Sequence, residues 1–518
     1  MSTMAQVLRI LSLLAFSAVV GVQAQGPSDG LTVSTETGTY VGLINGTTPN
    51  VRQFLNVPFA LPPTGQRRWL PPVKVTSNSS KLMDATTFPP SCPQYLSAGL
   101  SVWNEIVPEF LIPAGPYPPN AGAMPPTTAE DCLSLAVWAP TGNASRLPVI
   151  MFMTGGGFNN GGINIQYQLP HRWVQRTQAH IVVTINYRVG IMGFPNAAGV
   201  ESQNLGVLDQ RMALEWVRDN IEAFGGDPSR ITLWGQSAGA MSVDFHNFAF
   251  HDDPIAKGLF MESGTAFLQG SSTDPKHSNF SFVASHLGCG GLNASAEIKC
   301  MRDVPVEKIV NFVGRRGDNK TTPALTFGPV ADAKVIFSNY TQRYQQGLVA
   351  KIPAIVGNAA DEGAGLTPYT NVTAGPNATL AIQSTVNGFI CPSHNTSEFR
   401  TQNKLLTYRY QYVGNFSNIS PRPWMGAYHD TDLPMLFGTY NDFRGAGPEY
   451  ESRVSQRLQD LVLAFMEDPV TGPKGLGWPD YTSGQMMRFA ADGVVAKNVS
   501  VQTVDGVCTG QGTYDPTP

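Results

Sequence analysis

Residues 235–239, Gly-Gln-Ser-Ala-Gly, constrain the fold of this chain more than any other segment. They fit the pattern Gly-x-Ser-x-Gly, in which a sharp turn from a strand into a helix exposes a serine hydroxyl. Residues 230–234 before it are β-branched and apolar, as in a short buried strand, and the small residues 238–243 after it predict the start of a helix. The two glycines leave room for strand and helix to approach closely, so Ser237 can adopt a strained backbone. The alternative, a turn without chemistry, does not account for this context.

Alternating strand and helix patterns predict an α/β fold. Short apolar runs predict strands at residues 149–153, 181–185 and 352–356. Residues 208–224 have the spacing of a helix with one apolar side. Strands separated by helices predict a mostly parallel sheet, whose connecting loops gather at the carboxyl ends of the strands.

Length and composition agree with one large globular unit. The 518 residues are 42% hydrophobic and 14% charged, which is enough apolar surface for an extensive core. Neither a repeat nor a low-complexity linker divides the chain, so we expect a single domain over residues 25–518. The formal net charge of −4 gives no basic surface of the kind that binds nucleic acid. We therefore expect no nucleic-acid partner.

Residues 1–24 are typical of a secretory signal peptide. Arg9 precedes an apolar run over residues 10–22, and Val22 and Ala24 are the small residues that signal peptidase reads. This pattern predicts cleavage after Ala24. The run is too short to span a bilayer, and no later stretch has about 18 consecutive apolar residues. We expect a secreted, extracellular protein without stable membrane insertion; a retained anchor is the alternative.

Sequons and cysteines agree with secretion. Chance supplies several Asn-x-Ser/Thr triplets, so we expect only part of the thirteen to carry glycans. They are Asn45, Asn78, Asn143, Asn279, Asn293, Asn319, Asn339, Asn371, Asn377, Asn395, Asn415, Asn418 and Asn498. The six cysteines are an even number, as disulfides require, and allow fifteen pairings. Neither Cys-x-x-Cys nor a paired-histidine spacing occurs, so we expect no metal ion.

Several sequence blocks carry a resemblance to a known family. They are residues 57–63 (VPFALPP), 130–133 (EDCL), 155–158 (GGGF), 186–190 (NYRVG), 204–239 and 361–363 (DEG). On these blocks the chain, from about residue 30 to about residue 440, resembles the type-B carboxylesterase/lipase family. That family includes fungal secreted carboxylesterases and lipases and, more distantly, cholinesterases. The resemblance implies an α/β-hydrolase fold, with helices flanking a large, mostly parallel central sheet, and a serine esterase without a cofactor.

Three residues are candidates for a catalytic triad. A histidine activates a serine hydroxyl by taking its proton, and a carboxylate orients the histidine. In α/β hydrolases the order along the chain is Ser, acid, His, and Ser237 is the serine of the motif. The candidate acid lies at residues 361–362, and only two histidines, His394 and His429, follow it along the chain. We expect His394 on a glycosylated surface loop, whereas His429 matches the family's histidine block. The family's acid corresponds to Glu362, with Asp361 as the alternative.

Residues 155–157 are three glycines after a predicted strand, so their backbone can come close to a substrate. The resemblance assigns the oxyanion-hole N–H groups to Gly156, Gly157 and Ala238. A phosphate-binding loop is the alternative, but the Lys-Ser/Thr of a P-loop is absent. Thr154 stands where relatives commonly carry His or Tyr, which leaves the orientation of this loop open.

The resemblance also implies the disulfide pairing, namely Cys92–Cys132, Cys289–Cys300 and Cys391–Cys508. Within the loop that the first bond closes, residues 100–111 are rich in apolar side chains. They fit either a lid that opens at lipid interfaces or a wall of the active-site gorge. Gln236 stands where cholinesterases and many lipases have Glu, and its neutral amide weakens the case for a cationic choline substrate.

The sequence therefore predicts a secreted serine hydrolase of neutral, moderately apolar carboxylic esters. Ser237 would attack the carbonyl carbon, His429 would transfer protons, and Glu362 would orient His429. The expected partner is a small-molecule ester, and the oligomeric state does not follow from the sequence. Three alternatives stay open: a lid-bearing lipase, a dedicated esterase or acyltransferase for a natural product in a biosynthetic pathway, and a binding protein that has lost catalysis. The last conflicts with a complete set of triad residues.

Overall fold

The computed structural model describes residues 30–75, 82–142, 144–268 and 274–517. The predicted signal peptide with its cleavage after Ala24, and the sequons at Asn78 and Asn143, lie outside the described residues. No helix in the described part of the chain combines the length and the hydropathy needed to cross a bilayer.

Fourteen strands occur within these residues. They are β1 Thr32–Thr35, β2 Gly38–Val41, β3 Leu43–Asn45, β4 Thr48–Pro58, β5 Leu82–Asp84, β6 Ser134–Pro140, β7 Leu147–Met153, β8 Ile181–Ile185, β9 Gly226–Gln236, β10 Gly258–Glu262, β11 Ala354–Ala359, β12 Thr407–Tyr412, β13 Gln485–Phe489 and β14 Ala496–Ser500. Eleven of them form one sheet in the order β14-β13-β12-β11-β10-β9-β7-β8-β6-β4-β3. The ladder from β8 through β7 to β13 is parallel, and antiparallel strands close both ends of the sheet. Strands β1, β2 and β5 form a small separate sheet.

Helices cover the sheet. The α-helices of the described residues are α1 Val102–Glu105, α2 His171–Thr177, α3 Gly190–Gly193, α4 Leu205–Asn220, α5 Ala238–Ala249, α6 Ser278–His286, α7 Ala294–Asp303, α8 Val306–Asp318, α9 Tyr340–Gln345, α10 Glu362–Leu366, α11 Ala378–Thr385, α12 Cys391–Gln402, α13 Asp432–Phe437, α14 Glu449–Glu467, α15 Gly472–Gly475 and α16 Val501–Asp505. A π-helical turn, Val386–Ile390, joins α11 to α12. Short 3₁₀ turns occur at Gly65–Arg67, Pro108–Phe110, Gln166–Gln168, Ile221–Phe224, Tyr481–Ser483 and Gly506–Thr509.

The predicted strands and helix all form, most of them with shifted ends. Strand β8 has the predicted bounds, whereas β11 begins two residues late because Pro353 has no N–H for the ladder. The predicted helix starts earlier, at Leu205, and tightens into a 3₁₀ turn after Asn220. Helix ends commonly tighten in this way.

The central strands are buried on both faces. In β9, Leu233 faces one core layer, and Trp234 faces the other. The Trp234 ring stacks on Phe437 and Phe260, with ring centroids 4.8 and 5.5 Å apart. Strands β7, β9, β10 and β11 are parallel neighbours in the sheet, so their carboxyl ends meet at one edge.

Three disulfides tie the outer segments to this core. The bonded pairs are Cys92–Cys132, Cys289–Cys300 and Cys391–Cys508, which are the pairs that the family resemblance implies. All six cysteines are therefore used.

Candidate active site

Ser237 lies on a sharp turn between β9 and α5. Its backbone has φ 55° and ψ −120°, and non-glycine residues rarely adopt such a positive φ. A Cβ on Gly235 would lie 2.2 Å from the carbonyl carbon of Gly239, and a Cβ on Gly239 would lie 1.9 Å from the oxygen of Met153. Only glycine fits at both positions, so the two elements come close enough to hold the serine in its strained conformation.

Glu362 and His429 are joined by a short hydrogen bond. Oε2 of Glu362 lies 2.5 Å from Nδ1 of His429, and both side chains are buried. The other oxygen of Glu362 accepts the N–H of Ala359 at 2.8 Å. Asp361 ties the two loops together, because its N–H donates to the oxygen of Ala427 at 2.8 Å and its carboxylate accepts the N–H of Ala427 at 3.0 Å. These contacts orient the imidazole and leave its Nε2 for another partner.

Ser237 and His429 line one cavity of about 390 Å³. Nε2 of His429 lies 3.1 Å from Nε2 of Gln236, the residue before the serine. Within the described part of the chain, no hydrogen bond joins Ser237 Oγ to His429. The structure therefore brings the acid and the histidine into contact and places the serine beside them. The Gln236 amide hydrogen-bonds Nε2 of His429, which is the nitrogen that would accept the proton of the serine hydroxyl.

The glycine loop after β7 lies directly against the serine turn. A Cβ on Gly155 would lie 2.9 Å from Cβ of Ser237, and Gly156 and Gly157 have φ values of 102° and 60°. Among the hydrogen bonds of the described residues, none uses the N–H of Gly156, Gly157 or Ala238 as a donor. Ala238 is the first residue of α5, where the N–H has no partner inside the helix. Three candidate oxyanion donors thus border the cavity.

Thr154 fixes the start of this glycine loop. Its hydroxyl donates to Oε1 of Gln168 at 2.9 Å, and its carbonyl accepts the hydroxyl of Tyr187 at 2.8 Å. All three side chains are buried. The loop orientation that the sequence left open is therefore held by internal contacts of the threonine.

Asp430, directly after the candidate histidine, contributes a carboxylate to the cavity. Its Oδ2 accepts Nε1–H of Trp103 at 2.7 Å, and its Oδ1 lies 3.7 Å from Nε2 of His429. The neutral amide of Gln236 weakened the case for a cationic choline substrate. Asp430 nevertheless supplies a carboxylate to the same cavity from another loop. In the sequence, the only sign of a role for Asp430 in the site was its position next to His429.

These carboxylates control the ionisation of the histidine. Burial lowers the pKa of His429, but the charges of Asp430 and Glu362 outweigh burial and raise it to about 9. Burial raises the pKa of Asp430, and the nearby His429 offsets part of that rise. The site therefore favours the imidazolium at neutral pH.

A second carboxyl pair, Glu262 and Asp432, lies beside this site and has no counterpart in our sequence analysis. Both side chains are fully buried, and the charge of Asp432 acts on Glu262. Trp234 Nε1–H donates to Glu262 at 2.6 Å, and the Tyr410 hydroxyl donates to Asp432 at 2.8 Å. Burial and the charge of Asp432 raise the pKa of Glu262 well above its usual value, so the pair holds a proton more tightly than exposed carboxyl groups do. Glu262 ends an apolar strand, where sequence gives no sign of this contact.

The Cys92–Cys132 loop forms one wall of the cavity. Trp103, Phe110 and Leu111 line it, while Val102 and Val107 are fully buried in the main core. A capping box between Ser101 and Asn104 starts helix α1 in this loop. The packing of this segment favours the gorge wall over the lid.

His394 does not lie on the predicted surface loop. Residues 391–402 form helix α12, and Nδ1 of His394 lies 3.0 Å from the Tyr481 hydroxyl. The π-helical turn Val386–Ile390 connects α11 directly to α12, so no loop lies between the two helices. Among the described residues, no group of three or more His, Cys, Asp or Glu side chains is arranged to hold a metal ion.

Most of the described sequons are exposed. The exposed asparagines are Asn45, Asn293, Asn319, Asn339, Asn371, Asn377, Asn395, Asn415 and Asn498. Asn279 and Asn418 are buried, and their amides donate to the backbone oxygens of Thr326 at 3.2 Å and Tyr440 at 2.9 Å. A glycan on either of these two would have to displace internal hydrogen bonds.

Comparison with known proteins assigns the family. The model of the carboxylesterase family matches residues 29–386. The chain belongs to the carboxylesterase family. Its fold is accordingly that of an α/β hydrolase, and this carboxylesterase-family protein is a carboxylic ester hydrolase. The serine turn, the glycine loop and the Glu362–His429 contact all involve residues of the central sheet and its loops.

Two fungal proteins are similar to this carboxylesterase-family chain along nearly its whole length. It is 41% identical to a chlorogenic acid esterase of Aspergillus niger, over 93% of this chain and 94% of that protein. It is 38% identical to secreted lipase 5 of Gibberella zeae, again over 93% and 94% of the two chains. An acetylcholinesterase of Bungarus fasciatus is more distant, at 27% identity over 89% of this chain and 82% of that protein.

Proposed function

We propose that this protein is a secreted serine esterase of neutral carboxylic esters, with Ser237, His429 and Glu362 as its catalytic triad. The 2.5 Å contact between Glu362 and His429, beside Ser237 on one cavity, is the observation that carries the proposal. A buried carboxylate on Nδ1 selects the tautomer in which Nε2 can take a proton from a serine. The strained turn of Ser237 supports the same role.

The reaction follows from these positions. Nε2 of His429 releases the Gln236 amide and takes the hydroxyl proton of Ser237 as Oγ attacks the ester carbonyl carbon. The imidazolium then gives that proton to the departing alcohol, and the acyl group remains on Oγ. His429 then takes a proton from a water molecule as that water attacks the acyl-enzyme. The imidazolium returns the proton to Oγ of Ser237 as the carboxylic acid departs.

The N–H groups of Gly156, Gly157 and Ala238 serve as the oxyanion hole in this proposal. Their freedom from internal acceptors and their position on the cavity support the role. Each such donor contributes about 3 kcal/mol to transition-state stabilisation in comparable hydrolases. Because these donors are backbone groups, Thr154 acts on them only through the orientation of the loop.

Secretion forms part of the same proposal. Removal of residues 1–24 after Ala24 would leave a single hydrolase domain over residues 25–518. The three disulfides and the secreted relative at 38% identity support an extracellular location.

The cavity favours a small ester over a bulky lipid. Its volume of about 390 Å³ is in the range of small-molecule sites, and aromatic side chains from Trp103, Phe110, Phe158 and Phe389 line it. An ester with an aromatic acyl group is therefore a good candidate substrate, in keeping with the chlorogenic acid esterase among the relatives. A dedicated esterase or acyltransferase for a natural product would use the same site. Product analysis with water and with alcohol acceptors separates hydrolysis from transfer.

Hydrolysis of p-nitrophenyl esters from acetate to palmitate tests the proposal. We expect the wild-type protein to prefer short and medium chains, and Ser237→Ala to lower kcat by at least about 10,000-fold, because the nucleophile is lost. Circular dichroism verifies that the variant is folded. Ser452→Ala is the control, since that hydroxyl lies on helix α14, outside the lining of the cavity, and donates to the backbone oxygen of Glu449. A wild-type protein inactive on every ester, or full activity in Ser237→Ala, would contradict the proposal.

A further inference from the structure

Asp430 occupies an unusual position for an acidic side chain. Its backbone φ of 86° lies in the left-handed region, which Asp tolerates better than most residues. This conformation turns the side chain into the cavity, where Oδ1 lies 3.7 Å from Nε2 of His429. The proposed mechanism gives this carboxylate no step, although it is the acidic group next to the nitrogen that moves protons.

The orientation of this carboxylate is fixed from two sides. Trp103, on the cavity wall, donates Nε1–H to Oδ2 at 2.7 Å, and the side chain of Gln236 hydrogen-bonds the same carboxylate. A carboxylate offers about four lone-pair sites. Two neutral donors therefore hold Asp430 in place and leave it able to accept from a ligand in the cavity.

We propose that Asp430 is a specificity residue for the alcohol part of the ester, and that it accepts a hydrogen bond from a hydroxyl group close to the ester oxygen. Alcohols of this class are glycols, glycerol and cyclic polyols with a free hydroxyl on the carbon next to the esterified one. This inference rests on the proposed function, since it uses the role of His429 as the proton donor to the leaving alcohol.

The position of the alcohol follows from that role. His429 Nε2 must lie within about 3 Å of the leaving oxygen to deliver its proton. The Oδ1 atom of Asp430 lies 3.7 Å from the same nitrogen, so the first carbons of the alcohol pass within reach of the carboxylate. A hydroxyl on the neighbouring carbon can meet Oδ1, whereas an alkyl group there leaves the remaining acceptor capacity of the carboxylate unused in a buried place.

A neutral hydroxyl suits this place better than a cation. The imidazolium of His429 forms as Ser237 attacks and still carries its charge when the alcohol begins to depart, so a second positive charge at Asp430 would stand beside it. A hydroxyl donates to the carboxylate without that repulsion. We therefore expect discrimination for a free hydroxyl and none for a quaternary ammonium group.

The test compares esters of a single acid. Ethyl, 2-hydroxyethyl and choline butyrate all give the same acyl-enzyme, so differences in kcat/KM between them belong to acylation, when the alcohol is still present. The ratio of two esters within one enzyme cancels both its active fraction and the ionisation of His429. A pH-stat follows the release of acid from all three.

We expect wild-type kcat/KM for the 2-hydroxyethyl ester to exceed that for the ethyl ester by about tenfold or more. Asp430→Asn should reduce this preference to about threefold, and Asp430→Gly to about one, because a hydrogen bond of this kind discriminates only while its acceptor is present. Both replacements tolerate the positive φ of this position. Asp252→Asn is the charge-matched control, since its side chain is 92% exposed.

Three results would overturn the inference. One is the absence of a preference for the hydroxyethyl ester in the wild-type enzyme, and another is a preference that persists in both Asp430 variants. The third is a choline preference that exceeds the hydroxyl preference and disappears in the variants, which would reassign Asp430 to a cation. A wild-type protein inactive on p-nitrophenyl esters as well contradicts the proposed function itself, so the two failures are distinguishable.

Discussion

Asp361 and Glu362 are adjacent carboxylates with different surroundings. Glu362 contacts Nδ1 of His429, whereas Asp361 accepts the N–H of Ala427 and ties the two loops together. We expect Glu362→Gln to lower kcat by about 10,000-fold, because an amide at this place favours the wrong tautomer of the histidine. Asp361→Asn should lower kcat by less than about tenfold, because its amide oxygen still accepts the N–H of Ala427. The loss of an interaction outside the proton relay costs about 1 kcal/mol. Steady-state kinetics on p-nitrophenyl butyrate decide between the two acids, and similar losses would reopen the assignment.

The charges around His429 predict an alkaline pH profile. The base must be neutral to take a proton, and its pKa of about 9 means that kcat/KM should rise with pH until that value is passed. The facing charged groups are Glu362, Asp430 and Asp432. Asp430→Asn removes one negative charge and so destabilises the imidazolium. The rise of kcat/KM should therefore occur at a pH about one unit or more lower in this variant. Profiles from pH 5 to 10 measure the shift; a wild-type limb near pH 6.5 that the variant leaves in place would refute this argument.

At the scale of elements, the serine turn depends on the contact between β7, β9 and α5. A Cβ on Gly239 would lie 1.9 Å from the backbone oxygen of Met153, and a backbone atom cannot move aside as a flexible side chain can. We expect Gly239→Ala to destabilise the fold by at least about 3 kcal/mol and to abolish activity. Thermal unfolding and soluble yield measure the effect.

Gly317→Ala is the matched control for this turn. Gly317 lies in helix α8, and a Cβ there would meet nothing within 4 Å. Alanine in a helix should stabilise by about 0.5–1 kcal/mol. An unchanged melting temperature in Gly239→Ala would show that the turn has more room than its geometry indicates.

At the scale of the whole molecule, burial decides which sequons can carry glycans. Nine of the described sequons are exposed, whereas Asn279 and Asn418 bond internal oxygens. Among the sequons that the structure describes, we expect glycopeptide mass spectrometry of protein secreted from a eukaryotic host to find glycans only at the exposed sites. Occupancy at Asn279 or Asn418 in folded, active protein would contradict the burial argument. Loss of Asn418 by Asn418→Gln should leave the mass of the glycans unchanged, which provides an independent check.

Local patterns in the sequence were enough for the fold class and for the candidate nucleophile. Ser237 was identifiable because a strand, a tight turn and a small-residue helix follow one another along the chain, and each depends on near neighbours. Strand β8 had its predicted ends for the same reason. The family resemblance supplied Glu362 and His429, which stand in recognisable blocks although they lie 67 positions apart.

Contacts between distant segments were beyond such patterns. Asp430 joins Trp103 across 327 positions, and Glu262 meets Asp432 only because β10 and α13 pack at the same edge of the sheet. Neither carboxylate has a sequence signature, since a lone acid beside a histidine or at the end of an apolar strand is usually solvated or structural. The sequence by itself determined the fold class, the motif and the family, because these depend on neighbouring residues and on recognisable blocks. Tertiary structure alone decided the charge of the site floor and the pKa of His429, because electrostatic interactions depend on distance through space and on burial.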